Sequence, residues 1–279
     1  MRRQRAATKR GPMGQSVLIT GASAGIGQAT ADLLASHGWA VIGGSRRGTG
    51  GKLWRGIVMD VDDDASVSSV IERVVASHGG RLDALVACAG WGLAGAVEQT
   101  PISDTKAQFE TNFWGAHRAV QAVLPVMRHQ NHGRIVLVGS IGGVIAIPFQ
   151  AFYSASKFAL EGYAEALAWE VAPFGIEVTV VRPGNVKTDF TSARRDVEPP
   201  EGQDPCREAA SKTVDRMEQD ERAGVPAELV ARRIDKVLTS VRPQRCVSVG
   251  KAFERAGILA KRLLPFTLFE RAAKGSLGV

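Results

Sequence analysis

The run Ser16-Val17-Leu18-Ile19-Thr20-Gly21-Ala22-Ser23-Ala24-Gly25-Ile26-Gly27 decides how the chain is read. Five residues suited to a buried strand empty into a glycine-rich turn, and a helical pattern to about His37 follows. Glycines let a backbone approach phosphates closely, and the helix start behind them offers unpaired N–H groups and the positive end of the helix dipole. A glycine turn alone is weak evidence, because many strand–helix turns use glycine for geometry. The spacing Gly21-x-x-x-Gly25-x-Gly27 also departs from the usual Gly-x-Gly-x-x-Gly pattern.

Outward from this turn the chain alternates. Strand patterns at Trp39–Gly43, Gly56–Asp60, Ala84–Ala87, Ile135–Gly139, Glu177–Val181 and Arg245–Val249 are interleaved with helical stretches at Ala65–His78, Asp104–Gln130 (carrying Pro125), after Tyr153, and at Pro226–Val241. Such alternation implies an α/β fold, a doubly wound parallel sheet of about seven strands with helices on both faces in a single domain. Ligands bind such sheets outside the carboxyl ends of the strands. The chemically interesting residues fall there.

The second informative stretch is Phe152-Tyr153-Ser154-Ala155-Ser156-Lys157, with Ser140 thirteen residues upstream at the end of an apolar strand. On a helix Tyr153 and Lys157 share one face. A phenol with its ordinary pKa of about 10 is a poor acid or base near neutrality. A nearby ammonium favours the phenolate, which would bring Tyr153 into useful range. The Ser140 hydroxyl would hydrogen-bond the oxygen that Tyr153 protonates.

Composition narrows the classes. The chain has 279 residues, 44% hydrophobic and 23% charged, enough for a sizeable core. Cys88, Cys206 and Cys246 are few and scattered, so no disulfide framework or zinc spacing exists and a reducing, cytoplasmic setting is expected. The net charge is +7, but Arg2, Arg3, Arg5, Lys9 and Arg10 supply five of these, leaving +2 elsewhere and no basic surface for nucleic acid. Residues 1–14 read as a disordered basic leader rather than a secretory signal. The uncharged run Ile135–Ser156 is broken by Gly139, Gly142, Gly143 and Pro148, so strand, loop and helix start explain it better than a membrane span.

Cofactor choice follows from the end of the second strand. A site for NAD places an acid there to bind the ribose hydroxyls; between Asp32 and Asp60 there is none, and Ser45-Arg46-Arg47 stands instead. Guanidinium groups there suit the 2′-phosphate of NADP, so NADP(H) is expected over NAD(H).

Together, Thr20-Gly21-x-x-x-Gly25-Ile26-Gly27, Asp60-Val61, Cys88-Ala89-Gly90, Asn112, Ser140, Tyr153-x-x-x-Lys157 and Pro183-Gly184-x-Val186-x-Thr188 resemble the short-chain dehydrogenase/reductase family over about residues 15–250. The resemblance implies that Tyr153 is the acid/base, that Ser140 orients the carbonyl, that Lys157 lowers the Tyr153 pKa and binds the nicotinamide ribose, and that Asn112 holds a water relaying protons to Lys157. It implies cofactor contacts at Gly21, Ser23, Gly25, Ile26, Gly27, Arg46, Arg47, Asp60, Val61, Gly90, Asn112, Tyr153, Lys157, Pro183, Gly184, Val186 and Thr188, and no metal. The reaction implied is hydride transfer between nicotinamide and a carbonyl or alcohol. Cys88 stands where the family usually has Asn; it reads as a small buried residue rather than a redox thiol.

Pocket-wall candidates are Trp91, Ile141, Val144, Phe149 and Phe190 beside the catalytic Ser140 and Tyr153, which suit a lipophilic small molecule. Thr191–Gly224 is expected to form a weakly structured lid. Residues 251–279 read as a basic amphipathic extension that covers the substrate opening or meets another subunit, with membrane contact less favoured. Such tails resemble those of hydroxysteroid and retinol dehydrogenases. A homodimer or homotetramer is expected. The competing reading is a non-catalytic NADP(H) sensor on the same fold, which loss of Ser140, Tyr153 or Lys157 would favour; all three are present.

Overall fold

The computed structural model describes residues 14–197 and 205–277. Most of the leader expected over residues 1–14 lies outside them. Among the described residues, seven strands form one parallel sheet: β1 (Ser16–Thr20), β2 (Ala40–Ser45), β3 (Arg55–Val58), β4 (Ala84–Ala87), β5 (Gly133–Val138), β6 (Ile176–Pro183) and β7 (Cys246–Val249). Their order is β3-β2-β1-β4-β5-β6-β7. The chain winds outward from β1 in one direction, then returns to the middle and winds outward in the other. That reversal opens a crevice between the carboxyl ends of β1 and β4.

The strands are apolar because both faces are covered. Every residue of β1 and β4 is buried. On one face α1 (Gly25–Ser36) and α7 (Ala227–Thr239) pack Ala31, Leu34, Val230 and Ile234 against Val17, Ile19 and Val86. On the other, α2 (Asp64–Ser77), α4 (Ala116–Gln130) and α5 (Ala151–Val171) pack Ile71, Val120, Val123 and Leu160 against Leu18, Leu85 and Leu137. Asp63 caps α2 by accepting from Ala65 N at 3.0 Å.

The long helical stretch expected from Asp104 to Gln130 is interrupted. Helix α3 (Ile102–Phe109) passes into a π-helical turn over Glu110–Gly115 before α4 begins. One residue too many enters the turn, a device common at functional sites, and Asn112 lies inside it. The stretch expected to be weakly structured also folds further than its composition suggested. Helix α6 (Arg207–Arg222) forms there, stitched by Glu208–Lys212, Arg216–Asp220 and Glu218–Arg222 ion pairs one turn apart and anchored by buried Thr213 and Met217.

Beyond β7, α8 (Ala252–Leu263) and α9 (Phe266–Leu277) fold back over the carboxyl ends of the strands. The Glu254 carboxylate accepts from Lys251 N (2.7 Å) and from Asn185 N (3.0 Å), tying the first turn of α8 to the loop after β6. A Cβ on Gly184 would meet that carboxylate at 2.3 Å, so a larger residue there would displace it from these two amides. Lys261 donates to Val144 O and stands 5.0 Å over the Phe158 ring. Among the described residues, no helix is long and apolar enough to cross a membrane.

Candidate functional site

A cavity of about 860 Å³ lies at the carboxyl ends of the strands. One end is built by the turn after β1. Gly21 (φ 70°) and Gly25 (φ 53°) take left-handed conformations that glycine adopts without strain. A Cβ on Gly21 would lie 2.8 Å from Ala89 Cα, because two backbones cross there. Among the described residues, no side chain caps the start of α1 and no acid stands in its first turn, which leaves its amides open to an anion. Arg46 and Arg47 follow β2; Arg47 donates to Ser23 Oγ at 2.9 Å and Ser23 O at 3.2 Å, while both guanidinium groups are exposed at the rim.

The Thr20 hydroxyl accepts from Cys88 N and Ala89 N, each at 3.1 Å. It braces the end of β1 against the segment that follows β4. Burial pushes the Cys88 thiol up to about 11, so it stays protonated, as a small buried residue should.

Asn112 Oδ1 accepts from Trp91 N (3.0 Å), and its Nδ2 donates to Trp91 O (3.0 Å) and Ser156 Oγ (3.2 Å). The side-chain amide is therefore committed to holding the Gly90–Trp91 corner, and it is not among the groups lining the cavity. A Cβ on Gly90 would lie 3.0 Å from Asn112 Oδ1, which explains a glycine there.

At the centre, Ser140, Tyr153 and Lys157 face the same cavity. Ser140 hydrogen-bonds the Tyr153 phenol, which favours the phenolate, but burial dominates and raises Tyr153 to about 12, with the Glu221 charge adding to the rise. Lys157 is buried, donates to Val138 O at 3.0 Å, and is lowered to about 8 by desolvation. Its ammonium stands 5.9 Å from the centre of the Tyr153 ring. The expectation that Lys157 depresses Tyr153 differs from this arrangement: at that separation burial outweighs attraction.

Every residue expected to contact a cofactor lines the cavity except Asn112. Trp91, Ile141 and Phe190 line it too, with the Phe190 ring 5.8 Å from that of Tyr153. Val144 and Phe149 do not. Phe149 has a left-handed backbone (φ 57°), and its carbonyl accepts from Gly95 N at 2.8 Å, a brace for the loop. Several lining residues were not singled out from sequence: Asp62, Gln150, Asp220, Glu221, and Phe253 and Gly257 from the tail; Phe269, one of the apolar residues of the extension, lines the cavity as well.

A nicotinamide dinucleotide fits these residues. The glycine cradle and open helix start suit the pyrophosphate, and the buried Asp62 Oδ1, without a partner among the described residues, offers an acceptor in the same cavity. Among the described residues, no cluster that could hold a metal ion occurs.

The short chain dehydrogenase family pattern matches residues 15–199. The chain belongs to the short-chain dehydrogenase/reductase family. It is 38% identical over 262 residues to a 3-ketodihydrosphingosine reductase of Bacteroides thetaiotaomicron, covering 93% of this chain and 97% of that one. A short-chain dehydrogenase from Streptomyces avermitilis superposes with a TM-score of 0.81 at 30% identity, over 94% of this chain and 98% of the other. A family member from Burkholderia phymatum, solved in complex with NAD, shares the fold with a TM-score of 0.78 at 23% identity, over 94% and 96%.

The site carries a stability cost that can be measured. Lys157 sits below its unfolded value of 10.5, so native protein sheds the proton first and stability rises with pH between about 8 and 10.5. Lys157→Met should therefore stabilise the cofactor-free protein at pH 7 by about 2 kcal/mol, the desolvation relieved less the hydrogen bond lost. Urea unfolding at several pH values checks this: the gain should shrink as pH rises from about 8 to 10.5, and a loss of stability at pH 7 would contradict it.

Proposed function

We propose that this chain is an NADP(H)-dependent reductase of a lipophilic ketone carried on a long chain. The observation that carries the reading is the meeting of Ser140, Tyr153 and Lys157 in one cavity with an open helix start and Arg46 and Arg47 at its far end. The likeness to a 3-ketodihydrosphingosine reductase over nearly its whole length supports a long-chain ketone. The apolar tail residues Phe253 and Phe269 along the cavity suit such a chain.

When bound, NADPH supplies the hydride that reduces the carbonyl carbon. Ser140 holds the carbonyl oxygen beside Tyr153, and the phenol delivers its proton to that oxygen as negative charge develops. Burial suits Tyr153 to the reductive direction, because a pKa near 12 keeps it protonated until the alkoxide forms. Lys157 then stabilises the phenolate; with a pKa of about 8 it exchanges protons readily near neutrality. Asn112 serves by fixing the Gly90–Trp91 wall and, through a bound water, as the relay toward Lys157.

The arginines select the 2′-phosphate, since no acid stands at the end of β2 to claim a ribose hydroxyl pair. We place the enzyme in the cytoplasm as a homodimer or homotetramer assembled through the α4–α5 face, where Trp114 and Trp169 remain 47% and 70% exposed.

Tyr153→Phe should lower kcat by roughly 100-fold or more while NADPH binding, read by fluorescence titration, is kept; retained turnover would sink the proton-donor role. Arg46→Ala should weaken NADPH roughly tenfold and NADH hardly at all. Equal losses for the two would overturn the cofactor assignment.

A further inference from the structure

The two tail helices each turn one face to the cavity, and the reaction has no use for the other. On the inner side, Gly257 and Ala260 of α8 and Phe269 and Ala273 of α9 line the cavity. Glu254 and Lys261 anchor α8 to the loops after β6 and β5. This is the cover over the opening expected from the sequence. The outer side differs in character. Along α8, Ala252, Arg255, Ala256, Leu259, Arg262 and Leu263 recur three or four residues apart, so they share one face, and all six are exposed.

That face runs into the bend between the helices. Pro265 holds Leu264 in an extended conformation (ψ 147°), so the chain cannot continue as one helix. Residues 262–268 are exposed without a break, and Leu263, Leu264, Phe266 and Leu268 among them are large and apolar. Leu263 is 69% and Phe266 71% exposed. Single exposed apolar side chains are ordinary, but four at one bend, continued by Leu259, form a patch that marks a contact surface.

Charge identifies the partner. Residues 251–279 hold six basic residues and two acids. Both acids are engaged: Glu254 by the amides of Lys251 and Asn185, Glu270 by Lys274 at 3.2 Å. Arg255 and Arg262 flank Leu259 on the outer face of α8, and Arg271 is exposed on α9 beyond the bend. Among the described residues, none of these three arginines is ion-paired. A second copy of this face would bring the arginines of both chains together with no unengaged acid in the tail to answer them. An anionic bilayer answers them with lipid phosphates and takes the apolar side chains in below the headgroups.

We propose that the bend between α8 and α9 is a membrane-surface anchor: Leu263, Leu264, Phe266 and Leu268 enter the interfacial region of an anionic bilayer, and Arg255, Arg262 and Arg271 meet its phosphates. The contact is peripheral, because helices of 12 residues each do not reach across the apolar layer. Since the inner faces of the same helices line the cavity, the anchored chain holds that end of the cavity at the lipid surface. The anchor stands on the outer face of the tail and does not depend on which ketone the site reduces.

Flotation of the full chain with vesicles, without substrate or cofactor, tests the anchor. Vesicles of phosphatidylcholine alone are compared with vesicles in which about a third of the lipid is phosphatidylglycerol. Wild type should bind the anionic vesicles roughly tenfold or more tightly than the neutral ones, and the difference should shrink at high salt. The double variant Leu263→Ser, Phe266→Ser should lose roughly tenfold or more in binding. Leu53→Ser, which removes an equally exposed leucine from the loop after β2, should bind as wild type does. Arg255→Gln combined with Arg262→Gln should reduce the preference for anionic lipid. Circular dichroism checks that each variant is folded. No flotation by wild type, equal binding to both vesicles, or flotation that survives the double variant overturns the proposal. So does an oligomer that dissociates in the double variant without lipid, read by sedimentation velocity, since a second copy would then cover the face. Turnover plays no part in these readouts, so failure here leaves the reductase reading standing.

Discussion

Burial of the Lys157 ammonium is the constraint on which the site depends. The side chain is 6% exposed, and among the described residues its hydrogen bond goes to a neutral main-chain oxygen, Val138 O, at the end of β5. Taking a charge out of water with so little compensation is unfavourable by itself. In return it pins α5 to the carboxyl end of β5, two residues before Ser140, and sets Tyr153 one turn away from the same point. The packing behind it is correspondingly tight: a Cβ on Gly143 would lie 2.9 Å from Lys157 O. One turn further along the same face of α5, Glu161 accepts two hydrogen bonds of 2.7 Å from Arg182 of β6. The helix that carries the chemistry is thus fixed to two adjacent strands.

The cavity is polarised from end to end. The open start of α1 and the exposed Arg46 and Arg47 make one end suited to phosphates. The other carries Glu221 and Asp220, together with apolar surface from the C-terminal helices. The tail belongs to this design, because Glu254 and Lys261 tie it to the loops that carry the site.

Much of this was legible in the sequence, for identifiable reasons. A buried parallel strand is a short apolar run, and β1, β4 and β5 show as such; their glycine or serine ends mark where the ligand goes. Tyr153 and Lys157 share a helix face by spacing alone. What escaped the reading depends on contacts between distant residues or on geometry without a periodic signal. A π-helical turn over Glu110–Gly115 leaves no apolar rhythm behind. Glu221 joins the cavity only because α6 folds toward Tyr153, where Thr191 and Arg194 hold its carboxylate. Phe149 looked like a pocket wall from its neighbours, yet its left-handed backbone turns it into a loop brace. The depressed Tyr153 pKa expected from a neighbouring lysine assumed solvent-like surroundings, and burial reverses its sign.

The most direct test of the account is the fate of the transferred hydrogen. NADPH deuterated at the transferring position of the nicotinamide is incubated with the full chain and a long-chain ketone, and the product is analysed by mass spectrometry. The account predicts deuterium on the carbinol carbon, with a solvent proton on the oxygen. Unlabelled alcohol, or no alcohol with NADPH still bound, would contradict it.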